Sequence, residues 1–225
     1  MREYFDFCPI SKASEVLAER WAPLVIRELI LGSTHFNEIR RGIPSIPTAS
    51  LSQRLKMLED KAIVMRWMDG NGRPHYQLTP TGAALEPVIK AMGSWGHYWL
   101  NAEIRAEDLD LRVLMWDMHR RINVDELPRG RTVVQLDFTG ARTGRFWLLL
   151  QRSGPEVCET DPVLPIDLFV SADAMTMTNV WMGRASLQSA IDGGKIELMG
   201  EHQLAIGFPK WLALNFFAPA ARAPA

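Results

Sequence analysis

Pro47-Thr-Ala-Ser-Leu-Ser-Gln-Arg-Leu-Lys-Met-Leu-Glu-Asp-Lys-Ala-Ile-Val64 decides how the rest of the chain is read. Pro47 keeps the preceding backbone out of helix, and Thr48 is expected to cap the helix that follows. Leu51, Leu55 and Leu58 recur at i, i+4 and i+7, which makes one apolar stripe for a core. Ser50, Gln53 and Arg54 recur at i, i+3 and i+4 on another face, with Ser52 and Lys56 nearby. These types suit a DNA groove: Arg reads guanine edges, Gln reads adenine edges and Ser reads either. An amphipathic helix with a polar face is common, so the stretch gains weight only from its neighbours.

Those neighbours complete a pattern. His35-Phe-Asn-Glu-Ile-Arg-Arg41 predicts a helix with Phe36 and Ile39 on one side, Ser33 or Thr34 as its cap and Gly42 as its end. Gly42-Ile-Pro-Ser-Ile-Pro47 is too rich in Gly and Pro to be helical. Helix, short turn and helix is the helix-turn-helix order. Val64–Met68 and His75–Leu78 then flank Asp69-Gly-Asn-Gly-Arg-Pro74, a hairpin with strong turn pairs. That hairpin is the expected wing, with Arg73 near its tip and free to touch phosphate or a minor groove. The expected DNA contacts are Arg40, Ser50, Ser52, Gln53, Arg54, Lys56, Arg73 and His75.

The charge distribution agrees with a local footprint. The 225 residues carry a net charge of −1, so any DNA binding rests on a patch. Residues 40–75 hold seven Lys/Arg against three acids, whereas residues 101–225 hold 13 basic and 16 acidic side chains. Hydrophobic content of 47% is enough for packed cores in one or two domains. Two cysteines, Cys8 and Cys158, argue against a disulfide framework. No apolar run reaches the ~18 residues of a membrane span, and Met-Arg-Glu-Tyr-Phe-Asp lacks a signal-peptide core. The expected location is the cytoplasm, without a membrane partner.

Several motifs together carry a resemblance. Cys8-Pro-Ile, Val16-Leu-Ala-Glu-Arg-Trp21, Leu24-Val-Ile-Arg-Glu-Leu-Ile-Leu-Gly32, Phe36-Asn-Glu-Ile39, Leu51-Ser-Gln-Arg-Leu55 and Leu78-Thr-Pro-Thr-Gly82 resemble the HxlR-type branch of the MarR-like winged-helix regulators over about residues 7–100. The resemblance implies a homodimeric transcription factor on double-stranded DNA, dimerised through the termini of its winged-helix domain. It also implies a redox cysteine at the place of Cys8. Independently, Cys8 precedes Pro9, hence a helix N-terminus, which favours thiolate; an inert packed thiol is the alternative.

Elsewhere the chain predicts scaffold helices over 10–20, with Ile10, Ala13, Leu17 and Ala18 apolar, and from Pro23 to Gly32. After the wing, a long helix opens at Thr79, with Pro87 as a possible kink. Leu85, Val88, Ile89, Met92, Trp95 and Trp99 form its apolar stripe, more than one small domain needs, so a dimer interface is plausible. A helix is expected over 107–122. Strands follow over 132–138, 145–151, 156–160, 166–170 and 195–199, with helices over 174–182, 185–192 and 201–217, the last broken near Pro209. The order of these elements, with Ile166-Asp-Leu-Phe-Val-Ser-Ala-Asp173 and Gly183–Gly200, resembles the sterol-carrier-protein type 2 fold. That resemblance implies a five-stranded sheet packed by helices around an apolar cavity, in a family whose members bind lipids or act as interaction modules. Trp147, Phe169, Met175, Met177, Trp181, Met182 and Trp211 are candidate pocket residues, though ordinary core explains each equally well. The strand Phe146-Trp-Leu-Leu-Leu150 calls for cover on both faces.

The fold class expected is α+β: an N-terminal winged helix-turn-helix domain over 1–104, a sterol-carrier-like α/β sheet domain over 105–217 and a tail over 218–225. No catalytic residues, metal or cofactor are expected: the five histidines lack ligand spacing, and no phosphate loop or nucleophile elbow appears. The function expected is a DNA-binding regulator that responds to an apolar small molecule. The alternative is an apolar-ligand carrier or scaffold whose winged helix binds protein.

Overall fold

The computed structural model describes residues 7–100 and 104–218. Contacts divide the chain into two compact units, with the division after Gly93. The tail expected over 218–225 lies outside the described residues apart from Ala218.

In the first unit, α1 (Pro9–Leu17), α2 (Ala22–Ile30), α3 (Phe36–Gly42) and α4 (Thr48–Asp60) precede the antiparallel hairpin β1 (Val64–Met68) and β2 (Pro74–Leu78). Leu51, Leu55 and Leu58 of α4 are fully inside, packed with Val25, Ile26 and Ile39. Each such burial contributes roughly 1.5–3 kcal/mol. Two local expectations are corrected. Thr48 is the first residue inside α4 and caps nothing; Pro47 stands at the cap position. His35, not Ser33 or Thr34, is the cap residue of α3, and Glu38 reaches back to the amides of Thr34 and His35 at 2.8 and 3.0 Å. In α1 the inward residue is Glu15, while Ile10 is 74% exposed and Ala13 and Ala18 face outward.

The helix expected after Thr79 is two helices. Thr79 caps the single turn α5 (Pro80–Ala83) through its hydroxyl, 3.1 Å from the Gly82 amide. The same hydroxyl donates to the Ala62 carbonyl at 2.6 Å, tying the hairpin's end to the end of α4. The helix α6 (Glu86–Trp99) then restarts, with Pro87 in its first turn, where a missing N–H costs nothing.

The second unit contains a five-stranded sheet in the order β5-β4-β3-β6-β7, from β3 (Thr132–Thr139), β4 (Gly144–Leu150), β5 (Glu156–Cys158), β6 (Leu168–Asp173) and β7 (Ile196–Gly200). β3 and β6 pair in parallel; the other neighbours are antiparallel. Helices α7 (Leu111–His119), α8 (Ala174–Trp181), α9 (Leu187–Asp192) and α10 (His202–Trp211) contribute to one core with Val134, Leu136, Phe146, Leu148, Leu168 and Val170. α7 is shorter than expected, because Asp110 caps it and Ala106–Asp108 forms a separate 3-10 turn. Pro209 lies inside α10, which ends two residues later rather than at the proline.

Register assigns the two faces. Residues paired across strands share a face. Trp147 opposes Cys158 on one side and Gln135 on the other; Gln135 opposes Phe169, which opposes Met199. This row crosses all five strands on the face away from the helical core. The strand Phe146-Trp-Leu-Leu-Leu150 is buried on both faces, as expected, with Trp147 6% exposed on this one; farther along the row the face opens, with Phe169 39% and Met199 56% exposed.

Candidate nucleic-acid interface

The turn between α3 and α4 is held by a carboxylate invisible in the sequence pattern. Glu28 of α2 is fully buried. Its oxygens take hydrogen bonds from Arg27 Nη2 at 2.7 Å and Ser33 Oγ at 3.2 Å, and the same Arg27 nitrogen donates to the Gly42 carbonyl at 2.8 Å. A Cβ at Gly42 would overlap the Glu28 carboxylate, so only glycine fits this end of α3. Buried charges persist only when paired and hydrogen-bonded, and this pair fixes where α3 ends and the turn toward α4 begins.

Beyond that turn α4 presents Ser52, Gln53 and Lys56 outward, all exposed, beside an open groove they share with Met57, Asp60 and Lys61. Lys56 pairs with Asp60 at 3.1 Å on the exposed surface, a contact worth ~0.3–0.5 kcal/mol that yields readily to a phosphate. Ser50 is half-buried. Arg54 is drawn off the outward face: its side chain is 16% exposed and its Nη1 lies 3.0 Å from Glu19 Oε2 in the turn after α1. The anticipated Ser50–Gln53–Arg54 surface is thus not one face. The open face is built instead from Ser52, Gln53 and Lys56.

Arg40 and Arg41 are exposed in the last turn of α3. On the hairpin, Arg73 is exposed, and its amide and that of Asn71 each donate to Asp69 Oδ1 at 2.8 Å. Those bonds, first that from Arg73, hold the Asp69 carboxyl below its ordinary range. His75 is half-buried against Trp67, ring centres 4.2 Å apart, and edge-on to His35 at 5.2 Å. His35 Nε2 stands 3.4 Å from Asp69 Oδ2, and the Tyr76 amide donates to the Thr34 carbonyl at 2.7 Å. The hairpin is thereby stitched to the start of α3, so wing and turn are positioned together. Composition reasoning passed over Met65, Arg66, Trp67 and Met68, which are exposed along β1.

Cys8 occupies the cap position of α1 and is half-exposed. Hydrogen bonds from the Ser11 and Ile10 amides lower its thiol pKa below the ordinary value. The candidate pocket residues separate. Met177, Trp181 and Trp211 are buried core on the helical face, with Met175 and Met182 packed against them. Trp147 and Phe169 lie on the opposite face of the sheet. These seven side chains cannot line one cavity, because the sheet runs between them. Among the described residues no group of three or more His, Cys, Asp or Glu is placed to hold a metal ion, and no helix is long and apolar enough to cross a membrane.

Helix, turn, reading helix and stitched hairpin define a winged helix-turn-helix protein. The profile of the HxlR-like helix-turn-helix family matches residues 16–104. The HTH-type transcriptional regulator YvaP of Bacillus subtilis (strain 168) is 34% identical over 99 residues, covering 43% of this chain and 92% of that protein. The HTH-type transcriptional regulator YodB of the same organism is 37% identical over 91 residues, covering 39% and 81%. Among solved structures, the redox regulator HypR in its oxidized form is similar at 32% identity and a TM-score of 0.40, covering 43% of this chain and 100% of that one. The chain belongs to the HxlR-like helix-turn-helix family and is a DNA-binding transcriptional regulator.

Proposed function

We propose that the protein is a homodimeric regulator that reads an operator with α4, anchors with Arg40, Arg73 and His75, and answers to an apolar effector through its second unit. The observation that carries the DNA reading is the open Ser52, Gln53 and Lys56 face on a helix that follows a turn fixed by Glu28. Gln53 has the donor and acceptor to pair with adenine, and Lys56 and Arg73 have the charge for phosphate. The test is fluorescence anisotropy of the purified protein on labelled DNA from upstream of its own gene, over a salt series. The expected result is log affinity falling linearly with log salt, and a Gln53→Ala variant that loses preference at one base position. Binding that ignores both salt and sequence would favour the rival reading, in which the winged helix docks protein.

The dimer rests on α6, where Val88, Met92, Trp95 and Trp99 are all exposed, Trp99 at 71%. An exposed apolar helix row of this size marks an interface. Trp95→Glu combined with Trp99→Glu is expected to give a monomer by light scattering and to weaken operator binding.

For the second unit, a sterol-carrier-like role is supported by the five-stranded sheet with helices on one face. The open face supplies Phe169 and Met199 as apolar surface. Trp147 adds a buried indole N–H with no hydrogen-bond partner among the described residues. An unpaired buried donor is costly, and an effector with an apolar body and an acceptor group removes that cost. Fatty acids, sterols and aromatic acids would be screened for a rise in melting temperature, then for a change in operator affinity. Hits that raise Tm and leave DNA affinity unchanged would make the unit a passive carrier. Cys8 supports a redox input of the same kind: diamide is expected to change operator affinity in the wild type and not in Cys8→Ser.

A further inference from the structure

The recognition helix is gripped from one side by α1 and the turn that follows it. Glu15 lies on α1, and Glu19 lies in the turn beyond its end at Leu17. Glu19 Oε2 takes Arg54 Nη1 at 3.0 Å in the middle of α4, and Glu15 Oε2 stands 3.9 Å from Lys61 Nζ at its end. Glu15 also pairs with Lys12 at 2.9 Å. Val16 and Leu17 of α1 pack on the core, while Ile10 and Ala13 point to solvent.

Arg54 shows what this arrangement does. A base-reading arginine extends its planar fork outward. Here the guanidinium folds back, mostly buried, with one nitrogen on Glu19 and its Nε without a partner among the described residues. Removing Glu19 would leave a mostly buried cation uncompensated beside the reading helix, which must then move to find water or phosphate.

We propose that Glu19 and Arg54 are positioning residues for operator recognition: the pair fixes the pose of α4, and Arg54 reads no base. The proposal rests on the DNA-binding reading above. It makes the turn between α1 and α2 the element whose displacement is passed to the Ser52, Gln53 and Lys56 face.

The test is a charge-reversal cycle on the full chain. Glu19→Arg, Arg54→Glu, the double reversal and Arg54→Lys are measured by anisotropy on the same upstream DNA, with base preference and salt slope recorded for each. Each single reversal is expected to weaken binding about 2- to 150-fold, and the double reversal to recover most of that loss. Arg54→Lys should bind nearly as the wild type does. No single base position should relax in any variant, and the salt slope should stay at the wild-type value. If the double reversal fails to recover binding, or Arg54→Lys relaxes one base position, or the slope falls by about 0.9 as for a lost phosphate contact, Arg54 touches DNA and the proposal is overturned. Should a reversal fail to fold by circular dichroism, Glu19→Gln, Arg54→Gln and their double replace it. A double loss no larger than either single then supports positioning, and additive losses overturn it. A wild type that binds no DNA would sink the DNA reading and this proposal together, whereas any result against the pair alone leaves wild-type binding intact.

Discussion

The two units are held together by different physics. In the first, carboxylates fasten the elements around a smaller apolar core: Glu28 under the helix-turn-helix corner, Glu38 at the start of α3, and Glu15 on α1 and Glu19 just after it against α4. In the second, one apolar core runs from α7 through the inner face of the sheet to α10. A core of side-chain burial responds little to pH and to the screening of charge. A unit fastened by charge is adjustable by both, and by any ligand or covalent change that competes for those charges. The adjustable unit is the one that reads DNA.

The largest expected effect lies in the second unit. Trp181→Ala, at a site 3% exposed, should cost about 3–5 kcal/mol in urea unfolding, equally at low and high salt. A salt-dependent loss would break the contrast. Next is Gly42→Ala, which forces a methyl onto the Glu28 carboxylate and should cost about 1–3 kcal/mol. If Glu28→Ala in the same background leaves that cost unchanged, the Glu28 side chain is not what fills the corner. Glu38→Gln should cost about 1 kcal/mol, as for a lost cap. Burial pushes the Glu38 carboxyl up, but the Thr34 and His35 amides and the His35 charge bring it below its ordinary value of 4.5. A depressed carboxylate stabilises above its unfolded pKa, so the wild-type advantage should be complete at neutral pH. It should be lost as pH falls through the depressed folded pKa, below the ordinary 4.5, read from paired melting curves. A gap that persists in acid would assign the loss to packing instead. The smallest effect leaves stability alone: Cys8 should react with iodoacetamide with a midpoint at lower pH than free cysteine, by mass spectrometry. A midpoint at or above that of free cysteine would return Cys8 to an ordinary thiol.

Local signals were legible and long-range ones were not. The Leu51, Leu55 and Leu58 spacing and the Asp69–Pro74 turn chemistry are short-range, and the helix and hairpin appear where they predict. The strands of the second unit likewise lie close to where the apolar runs predict them, whereas their order in the sheet is a long-range property that those runs do not report. Arg54 was misplaced because its partner Glu19 is 35 residues away, and nothing in Leu51-Ser-Gln-Arg-Leu55 reports it. The pocket set failed for a related reason. Phe146-Trp-Leu-Leu-Leu150 is apolar on both faces, so periodicity does not say which face receives helices; the pairing of Trp147 with Gln135 and Cys158 does. Glu28 offered no signal, since a buried carboxylate looks like any other acid on an amphipathic helix.

The parallel pairing of β3 with β6 also sets an order of events in time. Val134 meets Leu168 only after 33 intervening residues have been made, so β3 and its hairpin partner β4 wait with one edge of β3 unpaired. At about 5–20 residues per second of synthesis, that edge stays open for roughly 2–7 s. The winged helix, whose contacts are local, can be complete by then, whereas the sheet closes late and slowly. A nascent chain of this kind is most prone to aggregate in that interval, through the β3 edge, well after its DNA-reading part has folded.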